Sequence, residues 1–382
     1  VFWQMDHNHN LSGPIPSEIG NLTKLQELNF SSTGLSGSIP PEIGNMVAME
    51  RMYLAYMPLS GVIPDSIGNL TALTDLSLLR GGGPGLEAPP SGMGVLSSLT
   101  NLRSLNLGGN PLGSDLAWVT SLTNLEGLYL QSTQQQGEIP DGIEDLTSLR
   151  TLSLQSNQLT GDLYRNDGTG TSWLDAQTSL QILGLNSNQL SGTLPDELGG
   201  LTGMLQLGLN HNGFTGSIPD LGALTDMTHL NVSNNPLTGD LYRPDATSWL
   251  GDLDSILVLD LRSTNLEGTI PTELGNLDTL QQFWLSGTSM SGPIPDVFDT
   301  MTSLGFIEIA HTPIDGPIPP SMAVAPALHS IRLHDNYLTG AIPAGLGSPL
   351  GYLNELSLPH NRLSGPLPVG LGTVPIGRLS LE

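Results

Sequence analysis

The chain has 382 residues, among them 47 Gly and 29 Pro but no Cys, with 36 acidic against 11 basic side chains and a formal net charge of -25. That balance argues against nucleic acid or an anionic membrane as the main partner, and the missing cysteines exclude a disulfide framework and Cys-ligated metal sites. No apolar run reaches the ~18 residues a membrane span needs, so membrane insertion is not expected.

Taken from the N-terminus, the glycines fall into a ladder: Gly13, Gly37, Gly61, Gly85, Gly113, Gly137, Gly161, Gly192, Gly216, Gly239, Gly268, Gly292, Gly316, Gly340 and Gly365. Gly37 to Gly61 and Gly316 to Gly340 are typical steps of 24 residues, and the ladder marks 15 repeats over residues 1–382. A clean copy runs Leu180, Leu183, Leu185, Asn188, Leu190, Gly192, Leu194 and Pro195. The Leu-x-Leu pair has period two, as a short strand buried on one face requires, and successive copies predict a parallel sheet. A buried amide at the following slot would satisfy backbone groups where the chain leaves the strand. Asn fills that slot at 8, 110, 157, 188, 212, 235, 336 and 361, while Thr fills it at 33, 133, 264, 288 and 312. A hydroxyl offers less than an amide, so the Thr turns should be less firmly tied. The ladder glycine permits a tight turn, and Ile-Pro or Leu-Pro then starts an extended segment.

The motif Leu-x-x-Leu-x-Leu-x-x-Asn-x-Leu-x-Gly-x-Ile-Pro resembles the plant-specific leucine-rich repeat, with Leu11–Pro16, Leu35–Pro40 and Leu363–Pro368 near consensus. Such repeats build receptor-kinase ectodomains and polygalacturonase-inhibitor-like proteins. The resemblance implies an α/β repeat solenoid, a right-handed superhelix or horseshoe. Its parallel sheet would line the concave face, with short extended and 3-10 segments on the convex face. It also implies partners bound on the concave face and an extracellular or cell-surface location. The paired-cysteine caps usual in plant extracellular members are missing, and the array opens and closes inside a repeat, as a segment of a longer chain would. Exposed strand edges there predict end-to-end self-association. The sequons at Asn10, Asn21, Asn29, Asn69 and Asn231 belong to the repeat consensus and carry little information about secretion.

Three longer repeats interrupt the beat. Residues 79–96 replace the standard turn with a Gly/Pro-rich loop, expected to be flexible. Residues 161–180 and 239–256 are near copies of each other, Gly-Asp-Leu-Tyr-Arg leading in both to Trp-Leu. Trp173 and Trp249 are expected to fill the core where the usual convex segment is missing, with Tyr164 and Tyr242 beside them. A second reading makes calcium a cofactor of these loops, bound by Asp162, Asp167, Asp240 and Asp245, since hard cations take six to eight oxygen ligands. Neither loop has EF-hand spacing.

The outward strand positions form columns, and the aromatic and cationic members are the candidate ligand-binding residues: Tyr53, Tyr56, Tyr129, Trp284, Phe306, Arg332 and His334. Near the end of the chain His311, His334, Asp335 and His360 fall on adjacent strand exits, with His329 and Glu308 close in register, a grouping open to zinc or copper or to a pH-sensitive contact. No nucleophile elbow, zinc-protease motif or phosphate loop is present, so an enzyme is not expected. The leading expectation is a non-enzymatic recognition scaffold for a peptide, protein or glycan. The alternatives are a structural or surface-adsorbing protein, a calcium-binding assembly protein, and a glycosidase inhibitor.

Overall fold

The computed structural model describes residues 1–346, 353–372 and 376–381. Two compact units divide the chain, Val1–Leu190 and Ser191–Glu382. In the first unit, one parallel sheet runs through strands Phe2–Gln4, Glu27–Asn29, Arg51–Tyr53, Asp75–Ser77, Ser104–Asn106, Gly127–Tyr129, Thr151–Ser153 and Ile182–Gly184. In the second, the same pattern continues through Gln206–Gly208, His229–Asn231, Val258–Asp260, Gln282–Trp284, Phe306–Glu308, Ser330–Arg332, Glu355–Ser357 and Arg378–Ser380. Each strand has three residues, and pairing is in strict register: Leu128 sits between Leu105 and Leu152, and Ile307 between Phe283 and Ile331. The central side chain of most strands points into the core, as at Leu28, Leu128 and Ile307, so the flanking two face out.

On the opposite side lie short 3-10 turns, several of which begin after Pro, as in Ser17–Asn21 after Pro16 and Asp196–Gly200 after Pro195. Short parallel pairs such as Gln136–Glu138 with Gln158–Thr160 accompany them. All fifteen ladder glycines have positive φ, from +58° at Gly113 to +102° at Gly13, a region that side chains with a Cβ rarely enter. Gly20 and Gly44 are needed for a different reason. A Cβ at either would stand 2.4 Å from a carbonyl oxygen of the next repeat, Glu42 or Ser66.

The Asn slot behaves as a ladder of side-chain amides. Asn157 Nδ2 donates to Leu130 O (2.7 Å) and Leu154 O (2.8 Å), and its Oδ1 accepts from the amides of Thr133 and Gln135 (3.0 Å each). Asn110, Asn235, Asn336 and Asn361 likewise bond both their own repeat and the preceding one. Thr33, Thr133 and Thr264 donate to the carbonyl three residues back, Thr133 with a second, longer contact to Asn157 Oδ1 (3.4 Å); Thr312 donates to Asn336 Oδ1, and Thr288 Oγ1 is buried with no partner among the described residues. None of these hydroxyls reaches the preceding repeat as the Asn amides do; Thr133 and Thr312 are tied instead to the Asn of the next repeat, Asn157 and Asn336.

The two near-copied inserts are small hairpins. Tyr164 bridges Ser172, and Tyr242 bridges Ser248, both antiparallel. Ser172 and Ser248 then cap the 3-10 turns Trp173–Ala176 and Trp249–Asp252, each accepting from the amide two residues on and donating back across the hairpin, to Leu163 O and Leu241 O. Trp173 and Trp249 are each 2% exposed and fill the core as expected, whereas Tyr164 and Tyr242 are only half-buried. The 79–96 loop is tied down: Arg80 donates to Gly83 O and Gly109 O, and Gly85–Glu87 pairs with Ser60–Val62.

Candidate ligand-binding face

The register gathers some of the candidate side chains and separates others. Tyr53 and Tyr129 stand in the outward column of the first unit, both half-buried, with small or polar neighbours: Asn29 and Ser77 beside Tyr53, Asn106 and Ser153 beside Tyr129. Burial and the nearby Asp75 carboxylate push the Tyr53 phenol up from its ordinary pKa. The Tyr129 ring lies over Gly127, where a Cβ would meet it at 2.9 Å. Tyr56 is 60% exposed but lies past the strand, at φ +57°.

In the second unit, four side chains from neighbouring strands and exits stack into a row. The Trp284 and Phe306 rings are 5.1 Å apart and tilted by 44°. The Arg262 guanidinium lies 5.2 Å from the Trp284 centroid, and that of Arg332 5.1 Å from Phe306. Contacts of this type contribute about 0.5–1.5 kcal/mol each. Carboxylates hold both arginines in place. Arg262 is bidentate on Asp260 (3.0 and 2.8 Å), while Arg332 reaches Glu308 (3.1 Å) and Glu355 (2.9 Å). Ser286 donates to Glu308 and Ser330 to Glu355. Burial raises the Glu355 carboxyl pKa, but the Arg332 and Ser330 donors outweigh it and hold the group below its ordinary value. Beside Phe306 a cleft of about 360 Å³ opens, lined by Gln281, Gln282, Ser303, Gly305, Ala327 and His329.

Trp284, Phe306 and Arg332 thus come together as one surface. Arg262, Asp260, Glu308 and Glu355 complete it, none of them among the candidate binding residues of the sequence. Their signal was the column register: Asp260, Trp284, Glu308 and Arg332 are successive members of one column, and Phe306, Ser330 and Glu355 of its neighbour.

His334 belongs to a separate group on the same unit. His311 Nδ1, His334 Nδ1 and His360 Nδ1 lie 3.5, 2.8 and 2.7 Å from the Asp335 carboxylate, which these imidazoles hold below its ordinary pKa, His334 foremost. His329 stands apart, its Nδ1 3.2 Å from Ala327 O, and Glu308 is engaged by Arg332 and Ser286.

The aspartates of the inserts are occupied within their own loops. Asp162 and Asp240 accept from the amides of Tyr164 and Tyr242, and Asp167 and Asp245 accept from both the amide and the hydroxyl of Thr169 and Thr247. These are turn-forming bonds of the kind Asp makes without a metal. The Thr slots at 264, 288 and 312 are buried, so they present no row of hydroxyls for surface adsorption.

The leucine-rich-repeat family model matches residues 24–46, 179–201 and 255–277. No curated protein matches the chain. Among solved structures, the plant peptide hormone receptor RGFR1, in complex with RGF2, is 28% identical with a TM-score of 0.82, the match covering 100% of this chain and 62% of that one. A TDR receptor is 26% identical, with a TM-score of 0.83 over 96% of this chain and 65% of that one. PEPR1, in its complex with AtPEP1, is 29% identical, with a TM-score of 0.73 over 97% and 57% respectively. The chain spans about six-tenths of the length of these proteins. Its register, its amide ladder and these likenesses agree: the chain is a leucine-rich-repeat protein of the plant type.

Proposed function

We propose that the chain is a non-enzymatic recognition scaffold that binds a peptide or extended protein segment on the outward sheet face of its second unit. The observation that carries this reading is the Arg262–Trp284–Phe306–Arg332 row. Aromatic and Arg side chains are the usual anchors of recognition surfaces, and here they are locked by ion pairs before any ligand arrives, so little side-chain entropy remains to be lost. The outward neighbours Gly208 and Asn231 are small, leaving room for a main chain to lie along the sheet. RGFR1 and PEPR1 are both described in complexes, one of them as a peptide hormone receptor, which favours a peptide over a glycan. The same likeness supports an extracellular or cell-surface setting.

The test is binding to parallel peptide and glycan arrays, comparing the native chain with Trp284→Ala/Phe306→Ala. Peptide signals lost in the variant are the expected result. Glycan signals lost in the variant would change the ligand class, and signals that survive would move the site elsewhere.

A further inference from the structure

We propose that His311, His334, Asp335 and His360 form a binding site for a single first-row transition-metal dication of the zinc, nickel or copper(II) class. This site is separate from the aromatic row and does not depend on the peptide reading.

Three of the four residues share one backbone position in successive repeats. His311, Asp335 and His360 have φ of +53°, +56° and +57°, each immediately before the slot residue, Thr312, Asn336 or Asn361. Elsewhere in the chain that position mostly carries Ser, Asn or Gly, as at Ser156, Asn234 and Gly287. A run of His, Asp and His is thus a local departure from the repeat. The neighbouring slots hold its backbone still: Asn336 donates to Ile309 O and Leu333 O, and Asn361 to Leu333 O and Leu358 O. His334 adds the fourth group from the adjoining outward column, its ring edge-on to His311 at 4.9 Å.

The donor set is chemically selective. Three imidazoles and one carboxylate suit borderline metals and are poor for calcium, which takes oxygen ligands. One ligand atom each from His311, His334 and Asp335 already lie within 4.8 Å of one another, and His360 Nδ1 is 2.7 Å from the other Asp335 oxygen. Tetrahedral coordination with bonds of about 2.0–2.1 Å needs ligand atoms about 3.4 Å apart; the widest spacing among the three grouped atoms has to close by about 1.4 Å at most, while the His334 and His360 nitrogens, 2.8 and 2.7 Å from Asp335, move back slightly from the carboxylate. The His311 and His360 side chains are 62% and 73% exposed, so rotation towards a common centre meets little packing. In the metal-free protein, Asp335 is shared among imidazole N–H groups; a dication would take the place of those protons. The surrounding charge of -25 favours a cation.

Titration calorimetry with zinc chloride on the full chain near neutral pH tests the assignment. One equivalent is expected to bind to the native chain and to His7→Ala/His9→Ala. His311→Ala/His360→Ala should bind at least about tenfold more weakly. Far-UV circular dichroism and melting of both variants should match the native protein, since the removed rings are exposed. Asp335→Asn should also weaken binding. Absence of zinc binding by the native chain, or binding that persists unchanged in His311→Ala/His360→Ala, would overturn the proposal.

Discussion

Asn157→Ala tests whether the amide ladder, rather than leucine burial alone, ties one repeat to the next. The side chain makes four short bonds, but their loss is not symmetrical. Leu130 O keeps the Thr133 hydroxyl (2.7 Å), and Leu154 O keeps the Asn188 amide (3.0 Å). The groups left stranded are the backbone amides of Thr133 and Gln135, whose acceptor is Asn157 Oδ1. An unsatisfied buried donor costs about 1–3 kcal/mol, so two predict roughly 2–6 kcal/mol, with entering water pulling the value towards the lower half. Asn188→Ala strands one such amide, that of Leu159, and should cost about half as much. Repeat arrays need not unfold in a single step, so urea midpoints should be read alongside amide hydrogen exchange. Fast exchange at Thr133 and Gln135 in the variant is the expected signature. A loss under about 1 kcal/mol, with exchange at those two amides unchanged, would refute the reasoning.

The converse change, Thr288→Asn, should stabilise the second unit by about 0.5–1.5 kcal/mol, because it replaces a partnerless buried hydroxyl with an amide that can reach the preceding repeat; the urea midpoint reads it. Trp249→Ala should cost about 3–5 kcal/mol through the cavity it opens, against about 1–2 kcal/mol for loss of the cap in Ser248→Ala, and a reversed order in thermal unfolding would contradict the hairpin's assigned role. The carboxyls of Asp220 and Asp296 are held below their ordinary pKa in the folded state, chiefly by the Arg243 and Ser321 side chains respectively. Their contribution is therefore fully present above the ordinary carboxylate range and fades as pH falls through the lowered values. Native stability should hold down to about pH 5 and drop below 4, and Asp296→Asn should flatten part of that drop in an acid titration followed by circular dichroism.

The fold was legible because each repeat solves one local problem with the same residues: the buried Leu128, the turning Gly137 and the amide of Asn157 can each be read from spacing. The inserts were legible for a similar reason, since Trp173 and Trp249 bring large apolar side chains where Pro is lost. Other features depend on register across repeats and were less visible. Arg262 and Glu355 became part of the aromatic surface only when the pairing of both columns was known. The left-handed residue before each slot was missed because Ser132, Ser187 and His211 carry no glycine-like signal there; the hydrogen-bonded slot fixes that backbone geometry, and the side chain tolerates it. Composition alone does not separate the two readings of the Asp-rich loops, since a spacing that would suit an ion also suits a turn closed by its own hydroxyls, as Asp167 with Thr169 and Asp245 with Thr247.

Charge separates two steps of recognition that would otherwise be confused. The chain as a whole is strongly acidic, but three carboxylates around the aromatic row, Asp260, Glu308 and Glu355, are matched by Arg262, Arg332 and Arg378, so the surface itself is locally neutral. The distant charge acts on approach, over roughly the 8–10 Å that salt leaves unscreened, while the rings and guanidinium groups act only in contact. For a peptide that binds this face, raising salt should slow association of a basic ligand and leave its dissociation nearly unchanged. Trp284→Ala should do the opposite, speeding dissociation by about 10–100-fold, as expected for a buried aromatic anchor worth roughly 1.4–2.8 kcal/mol, with association little altered. Surface plasmon resonance over a salt series reads both rates. If Trp284→Ala changed mainly the association rate, the aromatic row would be part of the approach and not the anchor.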